Sequence, residues 1–578
     1  MQGENALRHS KSKKGDYMVS ILLSWIIIFV YAYVYGRAGI KLFYEKTESL
    51  LRTWDVYVVC GTMILTVYAQ FFSLFYRVGL VAFIIASIGV VLCILYLVST
   101  DSVAYSNVEA SRPKLRSVIV LVGAFGILLW TNIVPQHYDT YLYHAQAIRW
   151  IEEYGVVPGL ANLHFRFAYN SAFLSLQTLF SFVWINGRSL HTVNGFIIVF
   201  MLGYAVTSFR QNGKKEIRTS DLLKLGMLAY FFYISIYISS PNTDLPSLLL
   251  LFYICIKWSE FAEYKTESAL PYGFLCLLCV YAVTIKLSTA IFVILTIYPA
   301  WDLIQNKQWK QIRNHIIVGV LVVLPYLARN VIISGYLVYP YPEIDFFHVD
   351  WKMSKQTAYN DRQEIIAWAR GNRDVGRYQD SINEWFSEWF VSIHVLWRIL
   401  FVIAAIAAII LLIIIVRDIF QHKNEPEDIL GAVSIIGVGF WLLSAPLPRY
   451  GVVYMMFLPC IAIGRGMHND ILRKYFETKL YVKFNKVIDI GLMCVVVLYG
   501  ISCFLYGYFV QCGTQTLLVQ NDYQDYDVIE ESINGITISG AVEGDQTGYS
   551  PFPAIPYLGV IKSIELRADD LGEGFRMK

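Results

Sequence analysis

The stretch PQHYDTYLYHAQAIRW, residues 135–150, follows directly on an apolar run that ends at Trp130. It begins a helix with an acid, Asp139, and then places tyrosines and His144 along that helix. Ionisable groups beside hydrocarbon are costly unless they are paired or solvated, so they are functional candidates by default. The role of these groups depends on the side of the membrane on which the chain leaves the bilayer.

Composition places the chain among membrane proteins. Of its 578 residues, 56% are hydrophobic and 16% are charged, whereas soluble domains average about 25% charged residues. The net charge of +3 gives no support to a nucleic-acid partner, which needs a concentrated basic face. Apolar runs of roughly 17 to 25 residues recur from end to end, which predicts an all-α polytopic membrane protein with about 12–14 transmembrane helices.

The loops between the apolar runs differ in charge, and cytoplasmic loops carry an excess of Lys and Arg. Four connectors are rich in these residues and are expected inside: 111–117, 210–224, 305–315 and 465–486. Alternation then places the other connectors outside: 137–170, the turn 241–244, the turn at Lys286, 334–395, the turn 445–450 and the tail after 511. The stretch 135–150 is therefore expected at the extracytoplasmic face.

Two regions conflict with simple alternation. Residues 169–185 and 191–209 are both apolar, but the charge pattern allows only one crossing there. We expect 191–209 to span the bilayer and 169–185 to form a shorter helix lying against it or part-way into it. The basic N-terminal stretch RHSKSKK should be cytoplasmic. However, four apolar runs separate it from the outer loop 137–170, and four crossings would place it outside as well. Either translation begins at Met18, or one early run does not span.

The chain divides into two predicted parts. Residues 1–510 form a multi-pass transmembrane domain, with 137–170 as its first outer loop and 334–395 as a large outer loop. The large loop ends in an amphipathic helix whose Trp385 and Trp389 are expected to rest on the membrane. Residues 511–578 form a small extracytoplasmic C-terminal cap, which Gly and Pro punctuate in the manner of a β or mixed structure.

The helix after Asp139 has an ambiguous beginning. Asp139 is a reasonable N-cap and Gly155 is expected to close the helix, while a half-apolar face that includes Tyr143 and Ile151 predicts a helix lying in the membrane interface. A Ser or Asn would cap equally well without a charge near hydrocarbon, which favours a functional role for Asp139. His144 is either an orienting or metal-binding partner of Asp139, or an ordinary interfacial histidine.

Further polar residues stand at the predicted outer ends of apolar runs: Arg166, Asp244, Lys286, Arg329, Asn330 and Arg449. Asp244 is either a helix cap or a second acid of a site. Arg donates paired hydrogen bonds to phosphate oxygens, and Lys supplies a point charge. The cations therefore predict a phosphate-binding face, unless their side chains merely extend to the lipid headgroups. Clustering at one face favours a catalytic or binding cavity over a path through the membrane.

The residues around Asp139 resemble the first outer loop of integral-membrane glycosyltransferases of the GT-C superfamily. Their signature is Asp-Glu or Asp-Asp followed by xx-Tyr. Here Asp139 and Thr140 precede Tyr143, so the second acid is absent and His144 or Asp244 would replace it. The stretch 138–171 is also similar to an uncharacterised bacterial family of polytopic proteins from surface-polysaccharide gene clusters. The later segments RNVIISGYLVYP, FHVDWK, APLPRYG and GFR extend that similarity.

The resemblance implies a GT-C-like fold in the bacterial plasma (inner) membrane. It also implies transfer of a sugar from a polyprenyl-phosphate-linked donor to a glycan or lipid-linked acceptor at the extracytoplasmic face. Asp139 would be the base or a metal ligand, with His144 as its helper and Asp244 as a second acid. The resemblance leaves open whether Asp139 and His144 hold a divalent metal. Substrate binding would fall to the remaining candidates: Tyr143, Arg166, Lys286, Arg329, Asn330 and Arg449.

Two alternatives remain. A polysaccharide polymerase of the O-antigen or capsule type would join repeat units from undecaprenyl diphosphate without a metal. In that case Arg329 or Arg449 would matter more than Asp139. A transporter of lipid-linked saccharides would instead need charged residues along a path through the membrane, which the one-sided placement of the candidates argues against.

Overall fold

We describe the protein from a computed structural model. The structure describes residues 18–44, 49–100, 115–209, 218–266, 268–423, 425–467, 520–533 and 536–578, with six isolated helical positions between 491 and 505. The N-terminal RHSKSKK stretch lies outside the described residues, as do most of the predicted cytoplasmic loops 210–224 and 465–486 and the predicted boundary at 511.

The described chain is mainly helical. Its α-helices, numbered α1 to α19 in chain order, are Met18–Tyr44, Trp54–Ser73, Leu80–Thr100, Leu115–Asn132, Ala145–Glu153, Leu160–Leu163, Ala172–Leu179, Val183–Asn186, Val193–Ser208, Thr219–Ile234, Asp244–Glu263, Leu270–Ile285, Ile297–Gln305, Trp309–Ser334, Lys355–Ala369, Ile382–Ser392, Val395–Phe420, Pro426–Ser444 and Pro448–Met467. A π-helical turn, Thr140–His144, leads into α5, and a 3-10 helix, Leu287–Thr296, leads into α13.

Nine of the described helices are long and apolar enough to cross a membrane, and four shorter apolar helices accompany them. The chain is therefore a multi-pass membrane protein. Helices α3 and α17 expose most of their large apolar side chains, as expected for helices that face lipid, whereas α11 is buried along almost its whole length at the centre of the bundle. The number of 12–14 crossings stays a prediction.

Glycine residues allow helices α1 and α2 to approach each other closely. Helices α1 and α2 cross at Gly36 and Gly61, where an added Cβ would lie 1.7 Å from the carbonyl oxygen of Tyr57 or Ala32, respectively. Only glycine permits this approach of two backbones, a common device between helices in membranes.

The bundle has two distinct ends. Helix α11 begins at Asp244 beside the end of α12 and the start of α19, and we call this the cavity end. The ends of α2 and α14 lie there too, because Arg329 in α14 donates to Ser73 in α2. The other end of the bundle, where α11 terminates at Glu263, is called the opposite end.

Residues 169–185, which we expect against the bilayer or part-way into it, are mostly enclosed by protein. They form α7 and the short α8, and every residue of α7 is buried, packed between α2, α5 and α12. The expected helix at 191–209 is present as α9. Most of the shorter apolar run is thus covered by other helices, although Ile185 at its end is 64% exposed. Its depth in the bilayer stays a prediction.

The aromatic helix of the large loop also differs from expectation. In α16, Trp385 and Trp389 are buried, and Trp389 packs on Phe401 and Trp441 while its indole N–H donates to the carbonyl of Pro446 at 2.8 Å. This aromatic face joins the helix to α17 and α18. It does not rest on a membrane surface.

The C-terminal segment, residues 520–578, contains the strands of the described structure. Strands β1 (Val528–Ile533) and β2 (Ile536–Ala541) are antiparallel, and β3 (Ala554–Ile555) pairs in parallel with β2. Strands β4 (Ile564–Leu566) and β5 (Phe575–Met577) form a separate antiparallel pair. The backbone N–H of Phe575 donates to the carbonyl of Pro158, so the segment is attached to the cavity end.

Buried charges also occur at the opposite end, which the sequence reasoning missed. Lys257 contacts Asp55 at 2.8 Å and Glu260 at 3.1 Å, and Glu260 also pairs with Lys224 at 2.8 Å. The placement of buried charge is therefore not one-sided. Along α11, however, no charged residue stands between Asp244 and Lys257, so this central helix does not connect the two sets of charges with a polar path.

The orientation of the bundle is testable by labelling. Asp374 in the large loop and Lys310 in the first turn of α14, within the predicted cytoplasmic connector 305–315, are both exposed. In a background without reactive native cysteines, we expect Asp374→Cys to react with a membrane-impermeant maleimide in intact cells, and Lys310→Cys to react only after permeabilisation. Equal labelling of both variants in permeabilised cells is the control. Labelling of Lys310→Cys in intact cells would contradict the assigned topology.

Candidate functional site

The cavity end contains a large cavity of about 840 Å³, which several charged side chains line. Of the nine residues singled out in the sequence, eight line it: Asp139, Tyr143, His144, Arg166, Asp244, Lys286, Arg329 and Arg449. Asn330 stands behind the wall. Residues that are up to 310 positions apart in the sequence are thus brought to one cavity, as the reasoning from helix ends expected.

An ion-pair cluster occupies one side of the cavity. Arg449, at the start of α19, places Nη2 3.4 Å from Oδ2 of Asp139 and Nε 3.7 Å from Oδ2 of Asp244. Asp244 is also paired with Lys286, which stands in extended backbone where α12 ends and the chain reverses. The predicted turn at Lys286 is confirmed. Both acids are therefore matched by cations.

Neither acid caps its helix. The carboxylate of Asp139 accepts no hydrogen bond from the first turn of the helix that follows it. At the start of α11, the backbone N–H of Leu245 donates to the side chain of Asn242, and not to Asp244. The capping interpretation of both acids is wrong, because their carboxylates turn away from the helix termini towards Arg449. Gly155, in contrast, ends its helix as expected, with φ +86°.

His137 is a member of the cluster that the sequence reasoning missed. Its Nδ1 lies 3.9 Å from Oδ2 of Asp139, and its Nε2 lies 3.3 Å from Nη1 of Arg449. Burial lowers the pKa of His137. Burial also opposes ionisation of Asp139, but the nearby His137 and Arg449 outweigh it and lower the pKa of that carboxyl. Asp139 is therefore an ionised carboxylate.

His144 lies deeper than the interfacial position expected for it. Only 2% of the residue is exposed, and neither ring nitrogen has a hydrogen-bond partner in the described part of the chain. Burial lowers the pKa of His144 to about 3, so the ring is neutral. Its ring lies 4.3 Å from that of Tyr143 and 6.0 Å from that of His137, measured between centroids.

The helix that carries these residues is enclosed by protein and does not lie in a membrane interface. Trp150 and Ile148 of α5 are buried. Gln146 donates to the carbonyls of Gly548 and Pro551 at 3.0 and 2.7 Å. The C-terminal segment therefore covers the side of this helix that carries Gln146.

Arg329 stands on a second wall of the cavity. It is 3% exposed, and its Nε donates to Oδ1 of Asn170 at 2.9 Å. The amide of Asn170 in turn donates to Oδ1 of Asn330 at 2.8 Å, which explains the position of Asn330 behind the wall. Arg329 forms no ion pair with any residue of the described ranges. A buried guanidinium that only neutral groups hold is costly, because its charge is not balanced.

Arg166 is a second cation without an acid at contact distance. It follows α6 in the 3-10 helix Phe165–Tyr169 and lies beside the rings of Phe165 and Trp368, with its guanidinium carbon 5.6 and 5.9 Å from their centroids. The described part of the chain offers it neither a hydrogen bond nor an ion pair.

Asp361, in α15, is another cavity residue that the sequence reasoning missed. It is 3% exposed and accepts hydrogen bonds of 2.8 Å from the hydroxyls of Tyr169 and Tyr339. Burial raises the pKa of Asp361 to about 6. Its helix is polar on most sides, so no apolar boundary marked it in the sequence. Tyr339 and Tyr341 also line the cavity.

The C-terminal segment adds one residue to the cavity. Asp545 accepts a hydrogen bond of 2.5 Å from the hydroxyl of Tyr138, the neighbour of Asp139. The buried carboxylate of Glu152 fixes the segment nearby, since it accepts a hydrogen bond of 2.6 Å from Tyr549. A tail that follows the helical bundle in the sequence therefore helps to build the site.

The mouth of the cavity is partly apolar. Phe440 and Leu443, near the end of α18, line the cavity and are 37% and 63% exposed. Both belong to one of the nine candidate membrane spans. A cavity with charged walls and an apolar exposed rim on a membrane helix suits an amphiphilic ligand.

The molecule is thus a multi-pass membrane protein with a large charged cavity at one end of its helical bundle. Its residues 18–456 match a family described as a domain of unknown function, DUF8201, and the chain belongs to that family. Neither the curated proteins nor the solved structures gave a significant match.

Proposed function

We propose that the protein is an integral membrane glycosyltransferase. It takes a sugar from a polyprenyl-phosphate-linked donor at the extracytoplasmic face, in the assembly of a surface polysaccharide or other glycan. The observation that carries this proposal is the combination of three features in one cavity: an ionised acid, two cations that have no acid partner among the described residues, and an apolar rim on a membrane helix. These features correspond to a base, a phosphate site and a route for a lipid tail.

The phosphate is assigned to Arg329 more than to the other cations. Lys286 and Arg449 are paired with Asp244 and Asp139, so their charges are already compensated. No described acid compensates Arg329 in this way, and a phosphate would remove the cost of its burial while accepting charge-assisted hydrogen bonds. Lys286 and Arg449 then hold the acids in position.

Asp139 is assigned as the general base. It accepts the proton of the acceptor hydroxyl as that oxygen forms a bond to the anomeric carbon. The bond from that carbon to the phosphate oxygen breaks in the same step, and the lipid phosphate leaves with both electrons of the bond. Arg329 stabilises the charge that develops on the phosphate. Asp244, held by Lys286, keeps Arg449 beside Asp139.

A divalent metal at Asp139 and His144 does not fit this arrangement well. The ring nitrogens of His144 have no hydrogen-bond partner among the described residues. However, Oδ2 of Asp139 faces a guanidinium at 3.4 Å, so a metal there would stand beside another cation. The described residues include no group of three metal-ligating side chains. The mechanism above therefore uses the side chains alone.

A polysaccharide polymerase of the O-antigen or capsule type is the second candidate. It is favoured by Arg166 and Arg329, the two arginines of the cavity wall that lack acid partners in the described chain. A diphosphate carries more charge than a monophosphate and would use both. The two candidates differ in the role of Asp139, which the polymerase does not require.

Binding of the lipid carrier is a direct test of the proposed donor. In nanodiscs of phosphatidylcholine, we expect undecaprenyl phosphate to stabilise the protein against thermal unfolding, by about 2.7 kcal/mol at a concentration 100 times its Kd. Undecaprenol, which has the same tail and no phosphate, is the matched control and should stabilise the protein far less. Equal protection by both lipids would contradict a phosphate site.

A further inference from the structure

One wall of the cavity contains two opposite charges that do not meet. Arg166 and Asp361 both line the cavity, and each influences the other electrostatically. Neither forms an ion pair with any described residue, although their elements, the 3-10 helix Phe165–Tyr169 and α15, are in contact. The gap between a donor group and an acceptor group in one cavity is space for a ligand that offers both kinds of hydrogen bond.

Asp361 retains capacity to accept such bonds. A carboxylate has about four acceptor positions on its two oxygens, and the hydroxyls of Tyr169 and Tyr339 bring only two protons. Arg166 has all of its donors available, since the described residues offer it no hydrogen bond. A pair of hydroxyls on neighbouring carbon atoms would fit this combination of acceptor and donor.

Aromatic rings border the same gap. The centroids of Tyr143 and Tyr169 are 5.7 Å apart, and those of Tyr169 and Tyr339 are 5.5 Å apart. Trp368, on α15, lies beside Arg166 and is 49% exposed. Such a rim provides flat apolar surfaces next to hydrogen-bonding groups.

We propose that Arg166, Asp361 and the rings of Tyr169, Tyr339 and Trp368 form a subsite for an uncharged sugar ring. The subsite rests on the proposed function and specifies where the sugar, as distinct from the lipid phosphate, is bound. The ligand is uncharged because Arg166 and Asp361 together carry no net charge. An acidic sugar would face the carboxylate of Asp361, and an amino sugar with a free ammonium would face Arg166.

Saturation-transfer NMR on the protein in phosphatidylcholine nanodiscs tests this subsite. The probes are the methyl glycosides of glucose, galactose, mannose and N-acetylglucosamine, with methyl glucuronide as the charged counterpart. We expect at least one neutral glycoside to give a signal that is about ten-fold weaker or absent in Asp361→Asn and in Arg166→Gln, a loss typical of one or two charged hydrogen bonds. Methyl glucuronide should give a weaker signal than the methyl glycoside of glucose, which has the same ring without the carboxylate.

The control variant is Glu388→Gln, an acid-to-amide change on an exposed residue of α16 outside the cavity, which should keep the full signal. Thermal unfolding at pH 7.5 separates the subsite from a structural role. Burial raises the pKa of Asp361 to about 6, so ionisation costs folding free energy above that pH, and Asp361→Asn should unfold at the same temperature or higher. A marked fall in unfolding temperature would make Asp361 a structural residue and overturn the proposal.

The subsite and the proposed function fail separately. If undecaprenyl phosphate protects the protein but no neutral glycoside binds, or if binding survives both substitutions, the subsite is wrong and the lipid-phosphate assignment stands. If a glycoside binds but undecaprenyl phosphate does not stabilise the protein, the subsite is supported and the polyprenyl-phosphate-linked donor is excluded. Preference for the glucuronide would overturn the assignment of an uncharged ligand.

Discussion

Replacing Asp139 by asparagine is expected to lower glycosyl transfer by about 10²-fold or more, because it removes the base and keeps the shape of the side chain. Folding should survive, since the carboxylate makes no capping bond and the amide oxygen of asparagine still accepts a hydrogen bond from Arg449. The measurement is restoration of surface-glycan synthesis in a strain that lacks the gene, with the amount of each variant in the membrane determined by immunoblot.

Asp374→Asn is a matched control for that substitution. Asp374 does cap a helical turn, accepting from the backbone N–H of Gly376 at 2.9 Å, and it lies outside the cavity. Asparagine caps as well as aspartate, so this variant should remain active. His144→Gln should reduce activity less than Asp139→Asn if the histidine only packs beside the acid. A fully active Asp139→Asn protein at normal levels would favour the polymerase.

Arg329→Gln is expected to weaken binding of undecaprenyl phosphate by about 10- to 100-fold, since a hydrogen bond to a charged group contributes about 1.5–3 kcal/mol. The free protein should not lose stability, because the substitution removes a buried charge that no described acid balances. The measurement is the shift of the unfolding temperature across a titration with the lipid phosphate in nanodiscs.

Arg377→Gln is the corresponding control, because Arg377 is paired with Asp380 and Glu388 away from the cavity. It should bind the lipid phosphate as the wild type does. Unchanged binding in Arg329→Gln, or a large loss of stability without ligand, would show that Arg329 is held in place for packing. Phosphate recognition would then fall to Arg166 or to the paired cations.

The sequence located Asp139, Asp244, Lys286 and Arg449 because each stands where an apolar run ends. Charged residues at such positions are rare enough to be informative. The charge pattern of the loops then placed them at a common face, and the structure brings them into one cluster. The identity of the partners was not predictable, because Arg449 and Asp139 are 310 positions apart in the sequence.

Other parts of the site had no local signal. Asp361 lies within a polar helix and Asp545 within a polar tail, so neither contrasts with its neighbours. His137 is only two positions from Asp139, and its spacing was the one available hint. The interpretation of α16 and α5 as membrane-surface helices failed for a shared reason. An amphipathic pattern specifies an apolar surface beside the helix, and it does not distinguish lipid from another part of the protein.

The attachment of the C-terminal segment has a consequence for biosynthesis. Glu152 and Gln146 depend on partners between residues 548 and 554, which leave the ribosome after every helix that forms the cavity walls. A nascent chain that has not reached these positions keeps the hydrogen bond from Ser189 to Glu152 and lacks those that residues 548–554 make to Glu152 and Gln146, so we expect this part of the cavity wall to form last. We expect a chain interrupted before residue 548 to contain all the helices that line the cavity and to lack the segment that covers Gln146.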